Sequence, residues 1–145
     1  MPAMFRKLTD QVYASPQIGL DDVARAADEG FTLIINNRPE EESPDQVPGE
    51  AIEAAARAAG MDYVAIPVTH AGFSEPQVAA MADALAGDGK VLAYCRSGTR
   101  STLLWTLAEA SRGVSPDQLA EAAADAGYDI APVRAIADML AARSQ

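Results

Sequence analysis

The run Phe31-Thr32-Leu33-Ile34-Ile35-Asn36 constrains the fold most, because it is apolar at nearly every position instead of every second one. A strand that alternates apolar and polar residues keeps one face in water, whereas a near-continuous apolar strand is covered on both faces. Such coverage requires helices above and below the sheet, and the flanking sequence supplies them. Leu20 to Glu29 has helical spacing and stops at Gly30, a residue type favoured just past a helix C-terminus. Beyond a loop rich in Pro, Glu, Asp and Ser (37–49), Ile52, Ala55, Ala56 and Ala59 share one helical face that ends at Gly60.

The alternation continues along the chain. Val12 to Ser15 and Tyr63 to Val68 read as strands, and Lys90 to Tyr94 as a short buried one after the Asp88-Gly89 turn. Ser74-Glu75-Pro76-Gln77 is a capping box ahead of Val78, Met81, Ala82 and Leu85. Ser101 to Arg112 is helical with Gly113 as its stop. Ser115-Pro116-Asp117-Gln118 reads as a second capping box, with proline at the first helical position. A last helix carries Val133, Ile136, Ala137 and Leu140 on one side. The expectation is an α/β fold: a single domain over 1–145, with a mainly parallel central sheet flanked by helices and a helical C-terminal tail.

Charge and cysteine content narrow the function. A net charge of −10 repels nucleic acid and anionic membrane at long range, so neither is expected as a partner. The single cysteine cannot form a disulfide within the chain. The N-terminus lacks the apolar core of a signal peptide, and no apolar run approaches a membrane span. A cytoplasmic location is the expectation. With one histidine and one cysteine there is no ligand set for a zinc site, and no metal or other cofactor is expected.

The chemistry is concentrated in Cys95-Arg96-Ser97-Gly98-Thr99-Arg100-Ser101, between a buried strand and a helix. Backbone N–H groups of such a turn form a nest for an anion, and the helix start adds unpaired N–H groups and the positive end of its dipole. Gly98 lets the backbone bend without steric penalty. Arg100 can donate a bidentate fork to a tetrahedral oxyanion. A cysteine at the mouth of that nest has its thiolate stabilised, which prepares a nucleophile beside the pocket for its target. The bland reading, a buried inert cysteine beside a surface arginine, holds for cysteines at large. It leaves the coincidence of cysteine, glycine and arginine at one strand-to-helix turn unexplained.

The run Ala93 to Ser101 closely resembles the active-site loop of single-domain rhodaneses, which are sulfurtransferases. Ile34-Ile35-Asn36-Asn37-Arg38-Pro39 followed by Tyr63-Val64-Ala65-Ile66-Pro67-Val68 resembles the scaffold of dual-specificity and tyrosine phosphatases. That combination, with the helical tail after Gly113, is similar to the bacterial beta-lactamase hydrolase-like, phosphatase-like domains, and the likeness covers nearly the whole chain. Members of that family also occur fused to persulfide dioxygenase domains, which implies a persulfide dioxygenase partner. Two departures stand out. Tyr94 takes the place of the histidine that precedes the cysteine in tyrosine phosphatases, and Arg100 follows Cys95 by five positions where those enzymes have six. Where the resemblance places an acidic proton donor, after Ile66-Pro67-Val68-Thr69, this chain has His70.

The resulting expectation is a rhodanese-type sulfurtransferase that carries sulfane sulfur as a Cys95 persulfide, taken from thiosulfate or a low-molecular-weight persulfide. Arg100 would orient the donor and His70 would assist as acid or base. Arg96, Ser97, Gly98, Thr99 and Ser101 would line the anion site. Arg38, at the carboxyl edge of the sheet, would hold an anionic substrate or simply pair with Glu40, Glu41 or Glu42 in a solvated acidic loop. The alternatives are a phosphatase forming a phosphocysteine on a phosphate ester, and a non-catalytic module that senses an anion or persulfide. Trp105 reads as core packing.

Overall fold

The computed structural model describes residues 3–69 and 71–144. Strands β1 (Arg6–Lys7), β2 (Val12–Ser15), β3 (Phe31–Asn36), β4 (Asp62–Ala65) and β5 (Lys90–Tyr94) form one sheet in the order β1-β2-β5-β3-β4. β2, β5, β3 and β4 run parallel, and β1 joins the edge antiparallel to β2. Among the described residues six α-helices surround it: α1 (Leu20–Asp28), α2 (Gly49–Ala58), α3 (Glu75–Leu85), α4 (Thr99–Ser111), α5 (Pro116–Asp125) and α6 (Arg134–Arg143).

The continuous apolar character of β3 has a direct cause. Ile34 and Ile35 are neighbours in sequence and both are fully buried, one on each side of the sheet. Ile34 packs with Ile18, Val23, Ile52 and Leu92 beneath α1 and α2. Ile35 packs with Met81, Leu104, Trp105 and Leu107 beneath the other helices. Full burial of one such side chain contributes about 1.5–3 kcal/mol. A polar residue at either position would therefore unpick one of the two helix layers. α4 is buried on almost every side, from Ser101 through Ala108 and again at Ala110, and α3, α5 and α6 pack around it. Trp105 is core, as expected.

Local signals held where they were strong. Ser74 and Gln77 close the capping box in both directions, Gln77 Oε1 accepting from Ser74 N at 2.8 Å and Ser74 Oγ from Gln77 N at 3.4 Å. At Ser115 the helix starts as read, but its side chain makes no capping hydrogen bond. The strand expected to run to Val68 ends at Ala65, because Pro67 has no N–H to continue the ladder. Ile66 and Val68 still donate to the carbonyls of Asn36 and Asn37 at 2.9 Å. Val133, at the end of the 3-10 turn that leads into α6, and Ala137 on α6 face the core, whereas Ile136 is turned outward. The two exposed residues of β1 carry no periodic signal and were not anticipated.

Candidate active site

The register aligns Ser15, Tyr94, Asn36 and Ala65 in one row across the carboxyl edge of the parallel strands. Chain leaving that row delivers Gln17, Cys95 and Arg38 to the crevice where open α/β sheets bind ligands. Cys95 is pinned between β2 and β3: its own N–H donates to the Ser15 carbonyl at 3.3 Å, and Asn37 N–H donates to the Tyr94 carbonyl at 2.8 Å. The cysteine is fully buried at the floor of the turn.

Above it, Gly98 takes φ +93° and caps α4. A side chain there would be strained and its Cβ would collide with the Tyr128 hydroxyl, so glycine is required on both counts. Gly98 N–H donates to Cys95 Sγ at 3.1 Å. Ser97 Oγ bonds Thr99 Oγ1 at 2.9 Å and accepts from Thr99 N at 3.3 Å, which stiffens the turn. Arg96, Ser97 and Thr99 are exposed around the rim. Ser101 is buried in the first turn of α4, with a hydroxyl that has no partner among the described residues. The first N–H groups of α4 have no helical acceptor and aim the dipole's positive end at the same place.

Arg100 is held by a carboxylate that is distant in sequence. Its Nη1 and Nη2 donate to Glu42 Oε2 and Oε1 at 2.7 and 2.8 Å, and Nη1 also donates to the Val68 carbonyl at 2.7 Å. Glu42 Oε1 accepts from Arg38 Nε at 2.9 Å as well. Arg38 completes its set with Gln17 Oε1 at 2.9 Å and Ser43 Oγ at 3.2 Å. Arg38 is thus buried and engaged through all three nitrogens, in the pairing role weighed for it. Glu40 and Glu41 are exposed as expected of a solvated loop, but Glu42 departs from it as an inward-facing bridge between two guanidinium groups. Hydrogen bonding from Arg100, aided by Arg38, holds the Glu42 carboxyl down to about 2 despite some desolvation. The Arg100 guanidinium is pushed further up, first by Glu42 and then, against desolvation, by the nearby Cys95 sulfur.

That depression ties stability to acid. A carboxyl whose folded pKa lies below its unfolded one contributes stability above the unfolded value, lost as pH falls through the folded one. Between roughly pH 4.5 and pH 2 the protein is expected to lose on the order of 1–2 kcal/mol from Glu42, a figure reduced for solvent screening. Urea unfolding at stepped pH measures this, and the slope should shrink in Glu42→Gln. An equal slope in both proteins would mean that other carboxyls carry the dependence.

Beside Glu42 lies a cavity of about 750 Å³ lined by Glu40, Glu41, Glu50, Glu53 and Tyr63, with Glu42 as part of its wall. Its walls repel anions, and no residue of the cysteine turn lines it. The structure therefore brings Cys95, Gly98, Arg100 and Ser101 together and sets Arg38 behind Arg100. His70 lies outside the described residues. Sequence reasoning missed Glu42 as the partner of Arg100, Gln17 as a partner of Arg38, and Tyr128, whose hydroxyl donates to the Ser97 carbonyl at 3.1 Å. No helix among the described residues is long and apolar enough to cross a membrane.

A parallel sheet with a buried cysteine at a strand-to-helix turn, an arginine in the first turn of the following helix and helices on both faces defines the architecture of cysteine phosphatases. The chain belongs to the family described as beta-lactamase hydrolase-like protein, phosphatase-like domain, whose model matches residues 4–112. A beta-lactamase hydrolase-like protein of Xylella fastidiosa (strain Temecula1) is 35% identical over 125 residues, 85% of this chain. The chain spans only 29% of that relative's length. A candidate phosphatase of Neisseria meningitidis is similar in structure, with a TM-score of 0.81 and 31% identity over 94% of this chain and 97% of that one. A structure of the kinase associated phosphatase, with its catalytic-site cysteine replaced by serine, has a TM-score of 0.70 at 16% identity. The two chains cover 98% of each other, a likeness of fold alone.

These findings correct the expected activity. The fold around Cys95 is the one shared with the phosphatase-like family and with solved phosphatases, and it does not support the rhodanese-type reading. The loop spacing that pointed to sulfur transfer is a feature of seven residues, whereas the likeness to phosphatases extends over the sheet, both helix layers and the C-terminal helices.

Proposed function

We propose that this domain is a cysteine-dependent phosphatase in which Cys95 attacks a phosphate ester and carries the phosphoryl group as a phosphocysteine. The observation that carries the reading is the Gly98 N–H donating to Cys95 Sγ at the start of α4, with the Arg100 guanidinium close by in the first turn of that helix, on a phosphatase fold.

The way Arg100 is held supports the same conclusion. A guanidinium has five N–H donors. Glu42 and Val68 use three of them, all on Nη1 and the Nη1-facing side of Nη2. Nε–H and the outer Nη2–H have no oxygen acceptor among the described residues, and these two make the side-on fork that fits two oxygens of a phosphoryl group. Glu42 is in this reading a buttress for Arg100, not a competitor of the substrate. The thiolate displaces the ester oxygen from phosphorus, Arg100 and the turn amides hold the equatorial oxygens, and water then releases phosphate from sulfur. Ser101, Arg96, Ser97 and Thr99 are proposed as the remaining lining of the anion site. His70 is the residue proposed to protonate the leaving oxygen of esters that need an acid.

The test is intact-protein mass spectrometry on protein quenched in acid during turnover of an aryl phosphate. One phosphoryl group on Cys95 is the expected result, and steady turnover with no adduct in any quench would sink the mechanism. Arg100→Lys keeps the charge and loses the fork. It should weaken inhibition by inorganic phosphate roughly tenfold, about 1.4 kcal/mol. Unchanged inhibition would show that Arg100 holds no oxyanion.

A further inference from the structure

We propose that Tyr128 is a positioning residue for Cys95, acting through the single peptide group that joins Ser97 to Gly98. At one end of that group the Ser97 carbonyl accepts from the Tyr128 hydroxyl at 3.1 Å. At the other end the Gly98 N–H donates to Cys95 Sγ at 3.1 Å. The peptide unit is planar and trans, so its C=O and N–H point in opposite directions and cannot turn independently. Holding the oxygen therefore aims the hydrogen. The hydroxyl also polarises the peptide it binds, which strengthens the donor at the far end.

Tyr128 sits in the connection between α5 and α6, beyond the segment that matches the family model, which ends at residue 112. It is itself fixed in place. Arg6 of β1 lies over its ring at 5.7 Å and donates to the Ala126 carbonyl at 3.0 Å. The absence of a side chain at Gly98 is what lets the hydroxyl approach so closely. The C-terminal helices thus reach back onto the cysteine turn. Without the hydroxyl, the peptide in the left-handed turn at Gly98 is free to rock, and the thiolate loses its aligned donor. The other charged or titratable groups facing this site among the described residues are Arg100 from α4, with Glu42 of the 37–48 loop behind it, and Arg6 behind Tyr128.

The inference rests on the reading of Cys95 as the nucleophile, and its test does not need phosphatase turnover. Tyr128→Phe keeps the ring and removes only the hydroxyl. Cys95 is the one thiol of the chain, so iodoacetamide alkylation reports it alone. In Tyr128→Phe the pH midpoint of alkylation should rise by about half a unit to one, since a hydrogen bond to the charged form favours that form. Below the midpoint the rate should fall roughly three- to tenfold, and the two profiles should converge at high pH, where every thiol is ionised. Superimposable profiles in two proteins of equal melting temperature overturn the proposal. Should the variant melt early, the Gly98 amide resonance of the wild-type protein decides. It must shift as Cys95 titrates, and a Gly98 signal indifferent to that titration overturns the proposal as well. A raised alkylation midpoint in Tyr128→Phe, together with a wild-type protein that hydrolyses no phosphate ester, would remove the phosphatase reading and leave this one standing. Robust turnover with identical profiles would do the reverse.

Discussion

Cys95→Ser is expected to lower turnover of an aryl phosphate by roughly a thousandfold or more, with the fold intact. The chain has no second thiol to take over. A serine hydroxyl stays protonated at neutral pH and needs an activating base, and the residues described around position 95 offer donors instead: Gly98 N–H, Arg100 and the start of α4. Those donors stabilise a charge that serine does not carry. The exchange of sulfur for oxygen changes one buried atom, and the Gly98 N–H can still donate to the hydroxyl, so circular dichroism and the melting temperature should barely move. The phosphoryl adduct should vanish from the mass spectrum with the activity. Residual turnover within about tenfold of wild type would show that Cys95 is the inert core residue of the bland reading.

Glu42→Ala is expected to be the most destabilising single change in the site, at about 3 kcal/mol or more. Removing one partner of a buried ion pair leaves the other charge uncompensated, and here one carboxylate serves two guanidinium groups. Arg38 has a side chain only 4% exposed, so water can do little for it, whereas at Arg100, 14% exposed, water replaces the lost partner in part. The smaller loss in Glu42→Gln should match the effect of acid on the wild type, because an amide and a protonated carboxyl both lack the charge. Activity should fall too, since Arg100 loses two of its three anchors and the substrate fork is no longer preoriented. Denaturant unfolding of the three proteins at pH 7 gives the energies directly. A Glu42→Ala protein within about 0.5 kcal/mol of wild type would mean that the bridge is a surface pair of negligible worth.

Much of this protein was legible in the sequence, and what was legible was local. The strands Val12–Ser15, Phe31–Asn36 and Lys90–Tyr94 and the helices between them follow from apolar periodicity over a few residues. The cysteine turn could be read because its donors, its glycine and its arginine are contiguous, and because a strand feeding a helix dictates where their N–H groups point. The same locality misled the reading of activity. Spacing within the turn favoured sulfur transfer, while the phosphatase-like scaffold is assembled from the whole chain.

Tertiary structure alone decided the partners of the site. Glu42 and Arg100 are 58 residues apart and Tyr128 and Ser97 are 31 apart. A charge or hydroxyl in a loop has no period, so nothing along the chain distinguishes Glu42 from Glu40 and Glu41 beside it. Which of the three turns inward depends on where the backbone after β3 passes the start of α4, and that is set by the β3–β5 register and by the packing of α4 in its layer of helices. β1 illustrates the same reason on a smaller scale: two exposed residues become a strand only because β2 is there to pair with them. Propensity and pattern therefore determined the elements and the cysteine turn, whereas the contacts that hold Arg100 and bond the Ser97 carbonyl exist only once the sheet and its helices have closed around them.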